Sequence, residues 1–274
     1  MLKKVVLFVF FAVSVGVFGQ QQKGKQYKIR TVAFYNVENL FDTINDIHKN
    51  DEASPIMEMK GDRGRVYKDK IKKLASVISQ IGKEKTNTSP VLIGVSEVEN
   101  RKVLEDLVSS DALKSKRYGI IHYESPDKRG IDVALLYQPR YFKPVHHESF
   151  DPNIYSNDRK VYTRNQLLVS GYLDDEMVHV IVNHWPSRRG GEAKSRPLRE
   201  KAAYQNTKII KKIKETDENP KVLIMGDFND DPINSSFKTV LKTKAEKTKI
   251  ERGDIYNPYE RMFKKGFNTG GYRD

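Results

Sequence analysis

Four short apolar runs in this chain each end on a side chain capable of chemistry, and that recurrence constrains the fold more than any other feature. Val32-Ala33-Phe34-Tyr35 leads to Asn36, and Val91-Leu92-Ile93-Gly94-Val95-Ser96 leads to Glu97. Val180-Ile181-Val182-Asn183 leads to His184, and Val222-Leu223-Ile224-Met225-Gly226 leads to Asp227-Phe228-Asn229. Short apolar runs bounded by polar segments read as buried strands. Ligand sites in α/β sheets gather beyond the carboxyl ends of strands. If the four strands run the same way, Asn36, Glu97, His184, Asp227 and Asn229 share one cleft.

The remaining pattern gives the frame. Ile71, Leu74, Ala75, Ile78 and Ile81 recur at helical spacing and predict a helix over about 65–82, stopped by Gly82. Residues 101–113 read as a second helix, and the segment from Pro197 to about Thr216 as a third, with proline at its first position. Strands are predicted at 118–123 and 131–137, joined by the turn Ser125-Pro126-Asp127-Lys128-Arg129-Gly130, and near 141–147, 163–172 and 178–183. Phe237 to Leu241 reads as a short helix. Hairpins interrupt the β-α alternation, which favours two packed sheets covered by helices over a simple parallel sheet. No repeat and no interdomain linker is visible.

The amino-terminal segment reads as a secretory signal. Met1-Leu2-Lys3-Lys4 is cationic, Val5 to Phe18 is apolar apart from Ser14 and Gly16, and Gly19 precedes polar residues. Cleavage after Gly19 gives a leader over 1–19, a loose arm over 20–28 and one folded unit over 29–274. The expected product is periplasmic or secreted and monomeric, and no other segment is long and apolar enough to span a bilayer. A retained signal anchor is the alternative.

Composition narrows the chemistry. The chain has no cysteine, which excludes disulfides, cysteine-held zinc, iron–sulfur clusters and thiol nucleophiles. A carboxylate set beside a neutral amide is a hard oxygen environment, suited to Mg²⁺ or Mn²⁺. Asp227 and Asn229 stand at i and i+2, so in extended backbone both side chains point the same way and can hold a water. His184 can donate a hydrogen bond to charge growing on phosphate oxygens. Each residue also has an ordinary reading: Asn36 as a turn residue, Glu97 as an ion-pair partner of Arg101, His184 as a half-buried strand end, and Asp227 with Asn229 as an Asx turn. Their coincidence favours a site. The net charge of +13 suggests polyanions or acidic surfaces as partners, although many basic exported proteins bind nothing anionic specifically.

Five segments resemble one known family. They are Asn36-Val37-Glu38-Asn39-Leu40-Phe41-Asp42, Gly94-Val95-Ser96-Glu97-Val98-Glu99-Asn100, Arg129-Gly130-Ile131-Asp132-Val133-Ala134-Leu135-Leu136-Tyr137, Asn183-His184-Trp185-Pro186-Ser187-Arg188 and Met225-Gly226-Asp227-Phe228-Asn229-Asp230. In order and spacing they resemble the endonuclease/exonuclease/phosphatase superfamily, the deoxyribonuclease I-like group, over nearly all of 29–274. The resemblance implies a four-layer αββα sandwich and metal-dependent hydrolysis of phosphoesters. It implies that Glu97 binds the metal, that Asn36 assists at metal and phosphate, and that His184 lies on the phosphate side. It implies that Asp227 and Asn229 orient the nucleophile and the phosphate, and that Arg164 faces the cleft as a substrate-binding residue. A solvated strand arginine is the alternative for Arg164.

The leading expectation is therefore an exported Mg²⁺- or Mn²⁺-dependent phosphodiesterase acting on nucleic acid by in-line attack of water. Arg188, Arg189, Lys194, Arg196 and Arg199 are candidate contacts to a phosphate backbone, or a solvated basic face. Alternatives are a phosphatase, a phospholipid or sugar-phosphate phosphoesterase, or an inactive fragment. The last arises because the family's closing strands carry a Ser-Asp-His, whereas no histidine follows His184 here. The expectation is a shortened sequence that lacks those last strands and the general base, at a cost of about 10² to 10⁴ in rate. All readings of the site require Glu97 within about 10 Å of Asp227 and Asn229, the span one ion and its bound phosphate can bridge.

Overall fold

The computed structural model describes residues 27–267. The predicted leader over 1–19, most of the arm and the segment after 267 lie outside the described residues. Among the described residues ten strands are formed: β1 (Val32–Leu40), β2 (Leu92–Val98), β3 (Gly119–His122), β4 (Asp132–Tyr137), β5 (Phe142–Phe150), β6 (Tyr155–Ser156), β7 (Arg159–Lys160), β8 (Gln166–Leu173), β9 (Glu176–His184) and β10 (Val222–Asp227). The α-helices are α1 (Pro55–Glu58), α2 (Arg63–Gln80), α3 (Lys83–Thr86), α4 (Arg101–Ser109), α5 (Glu192–Lys214) and α6 (Tyr259–Lys264).

Two mixed four-stranded sheets result, in the orders β1-β2-β4-β3 and β10-β9-β8-β5, with β6 and β7 as a separate ribbon. In the first sheet β1 and β2 are parallel and β4 is antiparallel to both its neighbours. In the second β10 and β9 are parallel, and β8 runs antiparallel to β9 and β5. Among the described residues no strand follows β10; Lys244 and Tyr256 form one isolated bridge.

Strand alternation builds the layers. On β2, Ile93 and Val95 face one side, where Ile71, Leu74 and Ile78 of α2 and Val103, Leu104 and Leu107 of α4 pack. Leu92 of the same strand faces the other side, where Leu135, Leu167, Val169, Val180 and Val182 fill the space between the sheets. Leu168 and Ile181 point away from that layer and pack on Ile209 and Ile213 of α5. The order is helix, sheet, sheet, helix, as expected. Gly94 sets the spacing of the sheets: a Cβ there would lie 2.8 Å from Met225 Sδ and 3.1 Å from Val182 Cγ1.

Local differences have identifiable causes. α2 starts at Arg63, because Asp62 caps it by accepting a hydrogen bond from Arg65 N at 2.9 Å. The predicted polar link after Gly82 contains the single turn α3. The helix predicted from Pro197 begins five residues earlier, at Glu192, and holds Pro197 inside. Proline this near an amino terminus removes only one ladder hydrogen bond, so the helix absorbs it. The short helix near 237–241 is a π-helical turn over Ser236–Val240.

Candidate active site

β1 and β2 belong to one sheet, β9 and β10 to the other, yet their carboxyl ends meet. The connection is Asn36. Its side-chain Nδ2 donates to Glu97 Oε1 and to Asp227 Oδ2, each at 3.0 Å. Glu97, His184 and Asp227 each place a ligand-capable atom within 4.8 Å of the other two. The proximity required of Glu97 and Asp227 is thus met, across the gap between the sheets.

A bulge aims Glu97. Ser96 pairs with Val133 and Val98 with Asp132, which leaves Glu97 without a partner on β4. Its φ is 61°, left-handed backbone. The facing stretch of β1 is irregular too, between Asn36 and Leu40, with Glu38 at φ 54° and Asn39 at φ 55°. Bulges re-aim side chains, and strained backbone of this kind collects at functional sites. The bulge lets Asn39 N donate to Glu97 Oε2 at 2.9 Å, while Asn36 Oδ1 accepts from Glu38 N at 2.8 Å. The sequence shows no signal for Asn39 in this role beyond its place in Asn36-Val37-Glu38-Asn39.

Asp227 and Asn229 are brought together differently from expectation. The chain leaves extended backbone after Asp227, and Asn229 has φ 50°. Asn229 N donates to Asp227 Oδ1 at 3.0 Å, so the pair forms an Asx turn rather than two parallel side chains on a strand. Asn229 Nδ2 then donates to Trp185 O at 3.0 Å, tying this turn to the end of β9. Gly226 permits the approach: a Cβ there would lie 2.3 Å from Asn183 O.

His184 is 4% exposed, with Nε2 3.8 Å from Glu97 Oε1 and Nδ1 buried without a hydrogen-bond partner among the described residues. Burial, helped by the charges of Arg164 and Arg129, holds its pKa well below the ordinary histidine value, so it is neutral at pH 7.

Arg164 is neither on a strand nor solvated. It precedes β8, is 6% exposed, and pairs with Asp127 Oδ2 at 3.1 Å. Its Nη2 also donates to Trp185 O. Burial lowers its pKa and Asp127 opposes that; an arginine remains charged. Asp127 was legible only as a turn residue, a role it fills by accepting from Arg129 N at 2.9 Å. Its second oxygen, which holds Arg164, has no local sequence signal.

The basic segment divides. Arg188 is 41% exposed at the rim, donating to Asn229 O at 3.0 Å and pairing with Asp231 at 2.9 Å. Arg196 pairs with Glu192 on the exposed face of α5. Arg199 is fully buried, with Nε 2.8 Å from Asp230 Oδ1 but off the N–H direction, and Nη1 donating to Ser195 Oγ at 2.8 Å. As an internal ion pair it is withdrawn from any contact with a phosphate backbone.

The donor set fits a hard divalent cation. Two carboxylates lie in close range, and the groups touching them are an amide, backbone N–H groups and a neutral imidazole. Like charges so near one another in a half-buried site call for a cation or a proton.

The sequence profile described as "Endonuclease/Exonuclease/phosphatase family" matches residues 31–274. Among solved structures, a β-hairpin deletion mutant of beta toxin from Staphylococcus aureus is similar at 18% identity. Its TM-score is 0.50, over 79% of this chain and 72% of that one. A conserved protein of unknown function from Enterococcus faecalis V583 is similar at 16% identity and TM-score 0.51, over 77% of this chain and 71% of that one. Truncated TDP2 from Caenorhabditis elegans gives 20% identity and TM-score 0.45, over 61% of this chain. The chain spans 57%, 43% and 44% of the lengths of three TDP2 structures from that nematode. No curated protein matches it. By the profile match over nearly its whole described length, with the sandwich fold in agreement, this chain belongs to the endonuclease/exonuclease/phosphatase family.

Proposed function

We propose that the chain is an exported, divalent-metal-dependent phosphodiesterase whose preferred substrate is nucleic acid. The observation that carries the reading is the Glu97–Asn36–Asp227 bridge, two carboxylates from different sheets joined by one amide. Glu97 and Asp227 would hold Mg²⁺ or Mn²⁺, which supplies Lewis-acid stabilisation of a phosphoryl oxygen when bound. Asn36 keeps the two carboxylates at a fixed separation. Neutral His184 offers a hydrogen bond to charge developing on phosphate oxygens, without adding a second cation to the site. Arg164, locked by Asp127 and the Trp185 carbonyl, supports this arrangement from behind and helps keep His184 neutral. Arg188 stands at the rim as the substrate-binding contact. The Asx turn at Asp227–Asn229 holds the Asp227 carboxylate in one orientation.

The net charge of +13 supports a polyanionic substrate, and the leader-like residues 1–19 support export to the periplasm or medium. Among the described residues no helix is long and apolar enough to cross a membrane. The test is hydrolysis of plasmid DNA, of an aryl phosphodiester and of an aryl phosphomonoester, with Mg²⁺ and then with EDTA. The expected result is diester cleavage that EDTA abolishes and Glu97→Gln reduces by about 10² or more. Cleavage of the monoester alone would move the reading to a phosphatase. Metal-independent cleavage, or full activity in Glu97→Gln, would overturn it.

A further inference from the structure

Near the cleft but separate from it lies a cavity of about 80 Å³, lined by Asp46, Lys49, Asp51, Glu99, Asn100 and Glu124. None of Asn36, Glu97, His184 or Asp227 lines it. Four carboxylates thus face one ammonium, and Lys49 Nζ donates to Ser125 O at 3.1 Å. The decisive group is Asp51, which is 1% exposed. Its Oδ2 accepts from Asp46 N at 2.8 Å, while its Oδ1 is buried with no hydrogen-bond partner among the described residues. A buried carboxylate oxygen left unpaired is strongly unfavourable, and native structures pair such atoms with a donor or a cation.

We propose that this cavity is a binding site for a hard divalent cation, anchored by Asp51 and Glu99 with Asp46 and Glu124 at its edge. The lining offers carboxylate oxygens and no imidazole or thiol, the donor chemistry of Ca²⁺ or Mg²⁺ rather than zinc. Ca²⁺ is the better match, because an irregular loop suits its variable coordination and Mg²⁺ demands near-octahedral geometry. A neighbouring group, His122, Glu124 and Asp132, also brings ligand atoms within 4.8 Å of one another. There, however, Asp132 is already satisfied: Ser125 N donates to Oδ1 at 2.8 Å, and His122 Nε2 lies 3.0 Å from Oδ2. Asp51 Oδ1, by contrast, has no partner among the described residues. The bound ion would clamp the loop of residues 42–54 against the end of β2, since Glu99 Oε2 already accepts from Asp42 N at 2.6 Å.

The test is calorimetric titration of the folded chain with CaCl₂ in the Glu97→Gln background, which weakens the cleft carboxylates and leaves the cavity untouched. The expected result is one Ca²⁺ bound per chain, with affinity at least tenfold lower when Asp51→Asn is added. Glu124→Gln, at the exposed edge, is the second variant should Asp51→Asn fail to fold, and it lowers affinity several-fold. No Ca²⁺ binding in the Glu97→Gln background overturns the proposal, as does an affinity that these substitutions leave unchanged.

Discussion

Replacing Asn36 by alanine removes both hydrogen bonds of the bridge between the sheets, and its effect can be worked from the geometry. Each lost bond is a 3.0 Å contact to a carboxylate. Hydrogen bonds to charged groups contribute about 1.5 to 3 kcal/mol apiece. The site is half-buried, so water partly replaces the lost donor, and a total of about 2 to 3 kcal/mol is expected in EDTA. For a domain of this size each kcal/mol shifts the melting temperature by about 2 to 4 °C, which gives a drop of about 4 to 12 °C. A divalent cation should change that difference. With their shared donor gone, Glu97 and Asp227 repel without relief, so added Mg²⁺ should stabilise the variant more than the parent chain. The assay is thermal denaturation of both proteins at several Mg²⁺ concentrations and in EDTA. Equal melting temperatures in EDTA would refute the structural role of the bridge. A stability gap that Mg²⁺ leaves unchanged would refute the assignment of these carboxylates to the cation.

Three further substitutions probe separate parts of the structure. Gly226→Ala drives a Cβ against Asn183 O, and should cost about 2 kcal/mol and displace Asp227, read as lower stability with sharply reduced cleavage. Arg164→Ala leaves buried Asp127 with Arg129 at 3.5 Å as its remaining charged partner and should cost up to about 3 kcal/mol; the double variant with Asp127→Asn should recover part of that loss, and a purely additive result would contradict the pairing. Glu99 has its pKa pushed from 4.5 up to about 7, chiefly by burial. Its acid form is favoured in the folded chain, so its stabilising contribution is full below about pH 4.5 and is lost as pH rises through about 7. The loss amounts to about 3 kcal/mol, and Glu99→Gln in EDTA should flatten the pH dependence of stability over that window.

The strand ends were legible because apolar runs of buried strands stand out from their surroundings, and because each run here ends abruptly on a polar side chain. The near-continuous apolar runs of β2 and β9 likewise suit strands buried on both faces. What stayed hidden depends on contacts distant in sequence. The bulge that turns Glu97 inward is a property of the pairing with β1 and β4, and nothing in Ser96-Glu97-Val98 announces it. The Asx turn at Asp227–Asn229 competed with an extended reading of the same residues, and the hydrogen bond from Asn229 N decided it. Arg164 and Asp127 stand 37 positions apart, so their pairing leaves no local trace. Arg199 illustrates the same limit: on a basic helix it reads as surface charge, and Asp230 folded over it, together with Glu192 and Ser195, makes burial tolerable.

The junction at Asn36 has a mechanical consequence. Because one carboxylate hangs from each sheet, their separation is a gauge of how the two halves of the sandwich are offset. A slip of the halves past one another by a single ångström would pull the gauge open while leaving every strand pairing intact. Residues deep in the interleaf, Gly94 and Met225 above all, therefore set the separation of the two carboxylates from a distance.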